Sequence, residues 1–140
     1  MPASAEVVRR KLATVREAVE RLRAHLPITA QHLRSDGMLE WAVERGLQIA
    51  AEALFDARNR ILAGDFSDAA DEYGHIPERL VAHAVLSPPT AARLRSLSGF
   101  RNVLVHEYAG VDLERLAEGL GRLDDFDVFV AEVEAWLARR

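Results

Sequence analysis

An all-α fold, an antiparallel bundle of about five helices, follows from three observations on the sequence. Apolar residues recur at steps of three and four through most of the 140 residues, the spacing that gathers them on one face of a helix. No stretch alternates apolar and polar residues as a half-buried strand requires. Proline, glycine and Ser/Asp clusters cut the chain into segments of helix length joined by short connections, the arrangement from which antiparallel bundles are built.

The first helix is the plainest. Val8, Leu12, Val15, Val19, Leu22 and Leu26 form one apolar stripe that ends near Pro27. Arg9, Arg16 and Arg23 mark its opposite side, a solvated face that could also meet phosphate. A loop around Ser35-Asp36-Gly37 leads into a second helix over about 38–63, stopped by Gly64. Gly46, Ala50, Ala53 and Ala57 form a narrow ridge on it, which lets another helix approach closely within the bundle or across a dimer. From Asp65 to Gly74 the chain is polar and acidic and reads as loop. Pro77 fits the first turn of a third helix carrying Leu80, Val81, Ala84, Val85 and Leu86. Ser87-Pro88-Pro89-Thr90 breaks it and offers an N-cap and a proline start for the fourth. Gly110 and Asp112 mark the next stop and start, with Asp112 capping a short helix to about Leu120. Asp124 and Asp125 cap a last helix to Leu137, Asp127 joining them where carboxylates favour the positive end of the dipole.

Composition narrows the function classes. The length suits one core and one domain, 1–140. Apolar residues reach 49%, yet no apolar run is long enough to span a bilayer. The N-terminus lacks a signal-peptide layout, since Val7-Val8 is followed at once by Arg9-Arg10-Lys11. Zero cysteines exclude disulfides and thiolate metal sites. The expectation is a cytoplasmic protein with no membrane association. His25, His32, His75 and His83 have no histidine four residues away and no zinc motif between them. No glycine-rich phosphate loop precedes a helix, and no Ser or Cys nucleophile motif is present. The pattern argues against a metalloenzyme, a kinase or a conventional hydrolase, and calls for no cofactor.

One stretch breaks the apolar pattern. In Arg101-Asn102-Val103-Leu104-Val105-His106-Glu107-Tyr108 an arginine falls where a helix should bury leucine. On a straight helix Leu94, Leu97, Leu104, Val105 and Tyr108 all project within about 60° of Arg101. An unpaired buried charge costs several kcal/mol, so the guanidinium needs an anion, a hydrogen-bonded partner or a wet interface. One solution is a structural arginine paired with a carboxylate of a neighbouring helix; another is a binding site. Arg95, Ser98, Gly99, Asn102 and His106 make a second, small and polar face, with Asn102 and His106 four apart and therefore neighbours. His106 projects about 140° from Arg101 on an ideal helix. The two meet on one ligand only if the helix bends or ends near Val105, or if a second subunit completes the site.

The string Gly99-Phe100-Arg101-Asn102-Val103-Leu104-Val105-His106-Glu107-Tyr108, followed by Gly110-Val111-Asp112-Leu113, resembles the signature of HepT-like proteins of the HEPN superfamily. Upstream, Glu44 to Asp56, with its Leu47-Gln48 step, is similar to the family's second helix. The resemblance spans roughly residues 38 to 125, in order and spacing. It implies a HEPN-like helical fold forming a two-fold dimer, with a shared cleft that reconciles Arg101 with His106. It also implies a metal-independent endoribonuclease toxin. RNA carries its own nucleophile, the ribose 2′-OH, so cleavage would leave a 2′,3′-cyclic phosphate and a 5′-hydroxyl. His106 would be the general acid–base, Arg101 the phosphate clamp, and Asn102 would orient His106 or touch the phosphate. The implied partner is a minimal nucleotidyltransferase antitoxin that transfers AMP to Tyr108, setting a bulky anion beside the clamp. From residues alone, Tyr108 reads equally as a helix-end aromatic covering the core.

The charge balance qualifies the RNA reading. Eighteen basic against 22 acidic residues give a net −4, whereas RNA binding leans on basic groups meeting phosphates. Seventeen of the eighteen are arginine, and Arg93 and Arg95 cluster with Arg101 as candidate RNA contacts. Two other readings stay open. One is a non-catalytic HEPN nucleotide- or substrate-binding subunit of a nucleotidyltransferase; the other is a dimeric scaffold whose Arg101 is neutralised within the bundle. A basic rim around Arg101 and His106 would favour the nuclease, and an apolar cleft would favour a small-molecule or protein ligand.

Overall fold

The computed structural model describes residues 2–66, 76–105 and 112–140, the side chains at 76, 77 and 98–105 excepted. These residues form seven helices and no strand: α1 (Ala5–Arg23), α2 (Ala30–Ser35), α3 (Gly37–Asp65), α4 (Ile76–Ala82), α5 (Pro88–Val105), α6 (Leu113–Leu120) and α7 (Leu123–Arg139). The helical class is therefore as the periodicity predicts. The extra element is α2, six residues too short to show a period. It is held by a capping box in which Thr29 Oγ1 accepts from the His32 amide and His32 Nδ1 accepts from the Thr29 amide.

α1, α3 and α7 form the frame. The stripe of α1 is buried at Val8, Leu12, Val15, Val19 and Leu22, but the helix ends at Arg23 and leaves Leu26 exposed. α1 runs antiparallel to α3, with Lys11 3.0 Å from Asp56 near one end and Leu22 against Gly46 near the other. A Cβ on Gly46 would come within 2.9 Å of the Leu22 side chain, so the ridge sequence serves the α1–α3 contact. α1 is also antiparallel to α7: Arg16 pairs with Glu134 at 2.7 Å, and Arg23 with Asp124 at 3.1 Å and Asp127 at 2.7 Å. Two of the three arginines expected on a solvated face thus bind a neighbouring helix across it.

Several boundaries move for physical reasons. Gly64 does not stop α3, which continues to Asp65. A Cβ there would sit 2.6 Å from the backbone nitrogen of Ala3, so glycine is needed because the N-terminal segment crosses at contact distance. Asp65 fastens that crossing by accepting from the Ala3 amide at 2.7 Å and pairing with Arg140 at 3.0 Å, which joins the two termini to α3. Asp36 accepts from the Met38 and Leu39 amides and caps α3 directly. Asp112 caps α6 in the same way. Asp124 and Asp125, expected as caps, lie inside the first turn of α7; its cap position is Arg122, which makes no side-chain capping bond. Their carboxylates hold arginines instead. The third helix ends at Ala82, and Ala84 adopts φ 61°, turning Val85 and Leu86 into the core. Of the predicted acidic loop from Asp65 to Gly74, Asp65 is the last residue of α3 and Phe66 its cap, and residues 67–74 lie outside the described residues.

Among the described residues no helix is long and apolar enough to cross a membrane.

Candidate functional site

The motif begins on α5, which carries its residues 101–105, and the sequence explains how that helix is set. Two prolines open it, so its first turn has few amides of its own to satisfy. The satisfaction comes from α7. The Glu132 carboxylate accepts from the Ser87 amide at 2.6 Å, from the Ser87 hydroxyl at 3.1 Å and, in a very short bond, from the Thr90 hydroxyl. Thr90 is buried, and a carboxylate with three donors is the charge-assisted arrangement that best repays desolvation. One turn later, Asp125 bridges two arginines, Arg122 at 2.8 Å and Arg93 at 3.6 Å. Arg122 also donates to the Arg93 carbonyl at 3.3 Å. The start of α5 is therefore anchored to α7 at two levels.

Among the described side chains of α5, Thr90, Ala91, Leu94 and Leu97 are buried. Helix arithmetic from Leu94 and Leu97 carries the same line to position 101, within about 40°. The backbone of α5 is helical through Val105, so Arg101 and Asn102 occupy its last turns, about 17 Å of helical rise beyond Thr90. The side chains of Arg101 and Asn102, and His106 and Tyr108 entirely, lie outside the described residues.

Arg93 and Arg95, read as RNA contacts, are both engaged. Arg93 faces Asp125, and Arg95 Nε lies 3.0 Å from Glu78 of α4. Both remain exposed, so exchange to a phosphate is sterically open, but each carries its own counter-ion. No group of three or more His, Asp or Glu side chains placed to hold a metal ion occurs among the described residues.

A buried arginine escaped the sequence reading. Arg58 on α3 is fully buried, its guanidinium 4.3 Å from the centre of the Phe55 ring. The signal was available: Leu47, Leu54 and Ile61 lie within about 60° of it on the helix, the criterion that singled out Arg101. Glu132 was also missed, because nothing near it in sequence marks it as the carboxylate that anchors α5.

Comparison with known proteins places this geometry. The Ribonuclease HepT-like family model matches residues 15–133, from the middle of α1 into α7. The mRNA nuclease HepT of Shewanella oneidensis is 24% identical over 135 residues, covering 93% of this chain and 98% of that one. Among solved structures, the tri-AMPylated Shewanella oneidensis HEPN toxin in complex with MNT antitoxin superposes with TM-score 0.80 at 22% identity, covering 94% of this chain and 99% of that chain. The Bacillus subtilis cytosolic protein YutE, of unknown function, superposes with TM-score 0.82 at 18% identity over 96% of this chain and 91% of its own. With a family model matched from 15 to 133 and the Arg101-to-Tyr108 string in its sequence, this chain belongs to the ribonuclease HepT-like family.

Proposed function

We propose that this chain is a metal-independent endoribonuclease, a single domain acting as a homodimer and held in check by a nucleotidyltransferase antitoxin. The observation that carries the reading is the intact Arg101, Asn102, His106 and Tyr108 sequence pattern in a HepT-like chain. In the proposed reaction the ribose 2′-oxygen attacks the adjacent phosphorus while its proton passes to one His106. The bond from phosphorus to the 5′-oxygen breaks, and the leaving oxygen takes a proton from the second His106, contributed by the other protomer. Arg101 holds the non-bridging oxygens as negative charge builds on them. Asn102, four residues before His106 in sequence, orients the imidazole or meets the phosphate. The products are a 2′,3′-cyclic phosphate and a 5′-hydroxyl, balanced without any cofactor. AMP added to Tyr108 by the antitoxin would place a phosphodiester seven residues from Arg101 in sequence, where its negative charge would compete for the clamp.

A second reading is favoured by one observation. Arg93 and Arg95 are each paired with a carboxylate, so the basic rim that a nuclease draws on is partly neutralised. That suits a non-catalytic nucleotide- or substrate-binding subunit.

The experiment is incubation of the unmodified protein with tRNA and mRNA in excess EDTA, beside His106→Ala and Arg101→Ala. The nuclease reading expects cyclic-phosphate ends from the intact protein and a loss of about 10²–10⁴-fold in the His106 variant. RNA left whole by all three, with no adduct mass on Tyr108, would hand the case to the binding subunit.

A further inference from the structure

Between α1 and α3 opens a cleft of about 320 Å³. Large apolar side chains wall it, Leu22 from α1 and Leu39, Val43 and Ile49 from α3. The positions between them are small, Ala18, Ala42 and Gly46, so nothing there reaches across to fill the space. The α3 wall runs from Leu39 to Ile49, about 15 Å of helical rise, which leaves a mean cross-section of about 20 Å². A slot of that width holds one extended chain and is too narrow for a helix about 10 Å across.

The polar groups at its edge are of one sign. Arg21 flanks it from α1, Arg45 from α3 and His25 from the segment after α1, and no carboxylate lies among the described residues that line it. Arg21 pairs with Glu17 at 2.9 Å, both side chains largely exposed, and Arg45 donates to the neutral Gln48 side chain at 3.4 Å. Neither is committed to another helix, as Arg16 and Arg23 are to α7. The acids of this part of α3 point elsewhere: Glu40 and Glu44 project about 120° and 160° from Gly46 around the helix. An occupant must therefore bring a slender apolar body and its own negative charge.

We propose that this cleft is a binding site for a small amphiphilic anion, a medium-chain carboxylate. Its tail lies along Leu22, Leu39 and Val43, and its carboxylate meets Arg21 and Arg45 at the mouth. The tail exchanges water for apolar wall, which is the hydrophobic gain. The charge stays at the exposed edge, where it keeps part of its hydration while accepting charge-assisted hydrogen bonds from the guanidinium groups. A cation of the same shape would meet like charges there. The volume falls at the small end of the range for ligand sites. The inference goes beyond the nuclease reading and stands without it, since neither Arg101 nor His106 takes part.

The test is isothermal titration of the full chain with sodium decanoate at neutral pH, kept below the concentration at which decanoate forms micelles. One molecule is expected to bind per chain, and decyltrimethylammonium, with the same tail and the opposite charge, is expected not to bind. Arg21→Glu/Arg45→Glu should raise the dissociation constant for decanoate about 10–100-fold, the worth of hydrogen bonds to a charged group. Ala42→Trp should raise it at least about 10-fold by filling the slot. Position 42 is exposed, so melting temperature and helical circular dichroism should stay as in the native protein. Several results overturn the proposal: decanoate that does not bind, which leaves the slot to a second copy or another protein; uptake of many molecules per chain; equal binding of the two amphiphiles; or both variants binding decanoate like the native chain.

Discussion

α1 and α5 are of nearly equal length, 19 and 18 residues, and are built to different ends. In α1 every position of the apolar stripe from Val8 to Leu22 is buried, and Arg16 and Arg23 brace α7. α5 buries Thr90, Ala91, Leu94 and Leu97 in its first half, and its line then arrives at an arginine position. The difference teaches where to look for chemistry in a helical bundle. A helix that only packs keeps its period to the end; one that also presents a site breaks it, and must be anchored from elsewhere. For α5 that anchor is α7, through Glu132 and Asp125.

Core truncation in α1 should have the largest effect. Leu12→Ala is expected to lose about 2–5 kcal/mol of stability, because the side chain is fully buried and the cavity closes only in part. Chemical denaturation reads the loss, and RNA cleavage per folded molecule should not move. A fall in both would mean that α1 reaches the site, and the contrast with α5 would fail.

Glu132→Gln comes next. It keeps shape but removes the charge from a carboxylate with three donors, a loss of about 1–3 kcal/mol. Here cleavage per folded molecule should fall as well, since the start of α5 sets the placement of its last turns. Unchanged cleavage at reduced stability would make α5 a packing helix like α1.

The smallest effect is expected at Asp56, which braces α1 from α3. Burial alone lifts its carboxyl, but hydrogen bonds and charges from Lys11 and Arg60 outweigh that and leave it below its ordinary value. A lowered folded pKa means that its stabilisation is present above the unfolded value of about 3.9 and is lost as pH falls through the folded value. The pair is more than a third exposed, so the contribution is at most about 1 kcal/mol. Asp56→Asn should therefore lower the melting temperature slightly at neutral pH and converge with the native protein in acid, once the carboxyl is protonated in the folded state. A gap that persists in acid would assign Asp56 a role beyond its charge.

Much of this was legible in the residues themselves. The α1 stripe, the α6 cap at Asp112, the proline start of α5 and the helical class are consequences of spacing within a few residues, which local sterics and one-face burial impose. The same short range made the Arg101-to-Tyr108 string conspicuous. Tertiary structure alone decided that Gly64 is a crossing point for Ala3, that Asp124 and Asp125 serve arginines more than amides, and that Arg93 and Arg95 arrive already paired. It also decided that Trp41 faces outward while Arg58 is buried. The physical reason is range. A helical period repeats every few residues and can be read locally, but a charge finds its partner across the bundle, as Asp65 does with Ala3 62 residues away and Glu132 with Ser87 45 residues away.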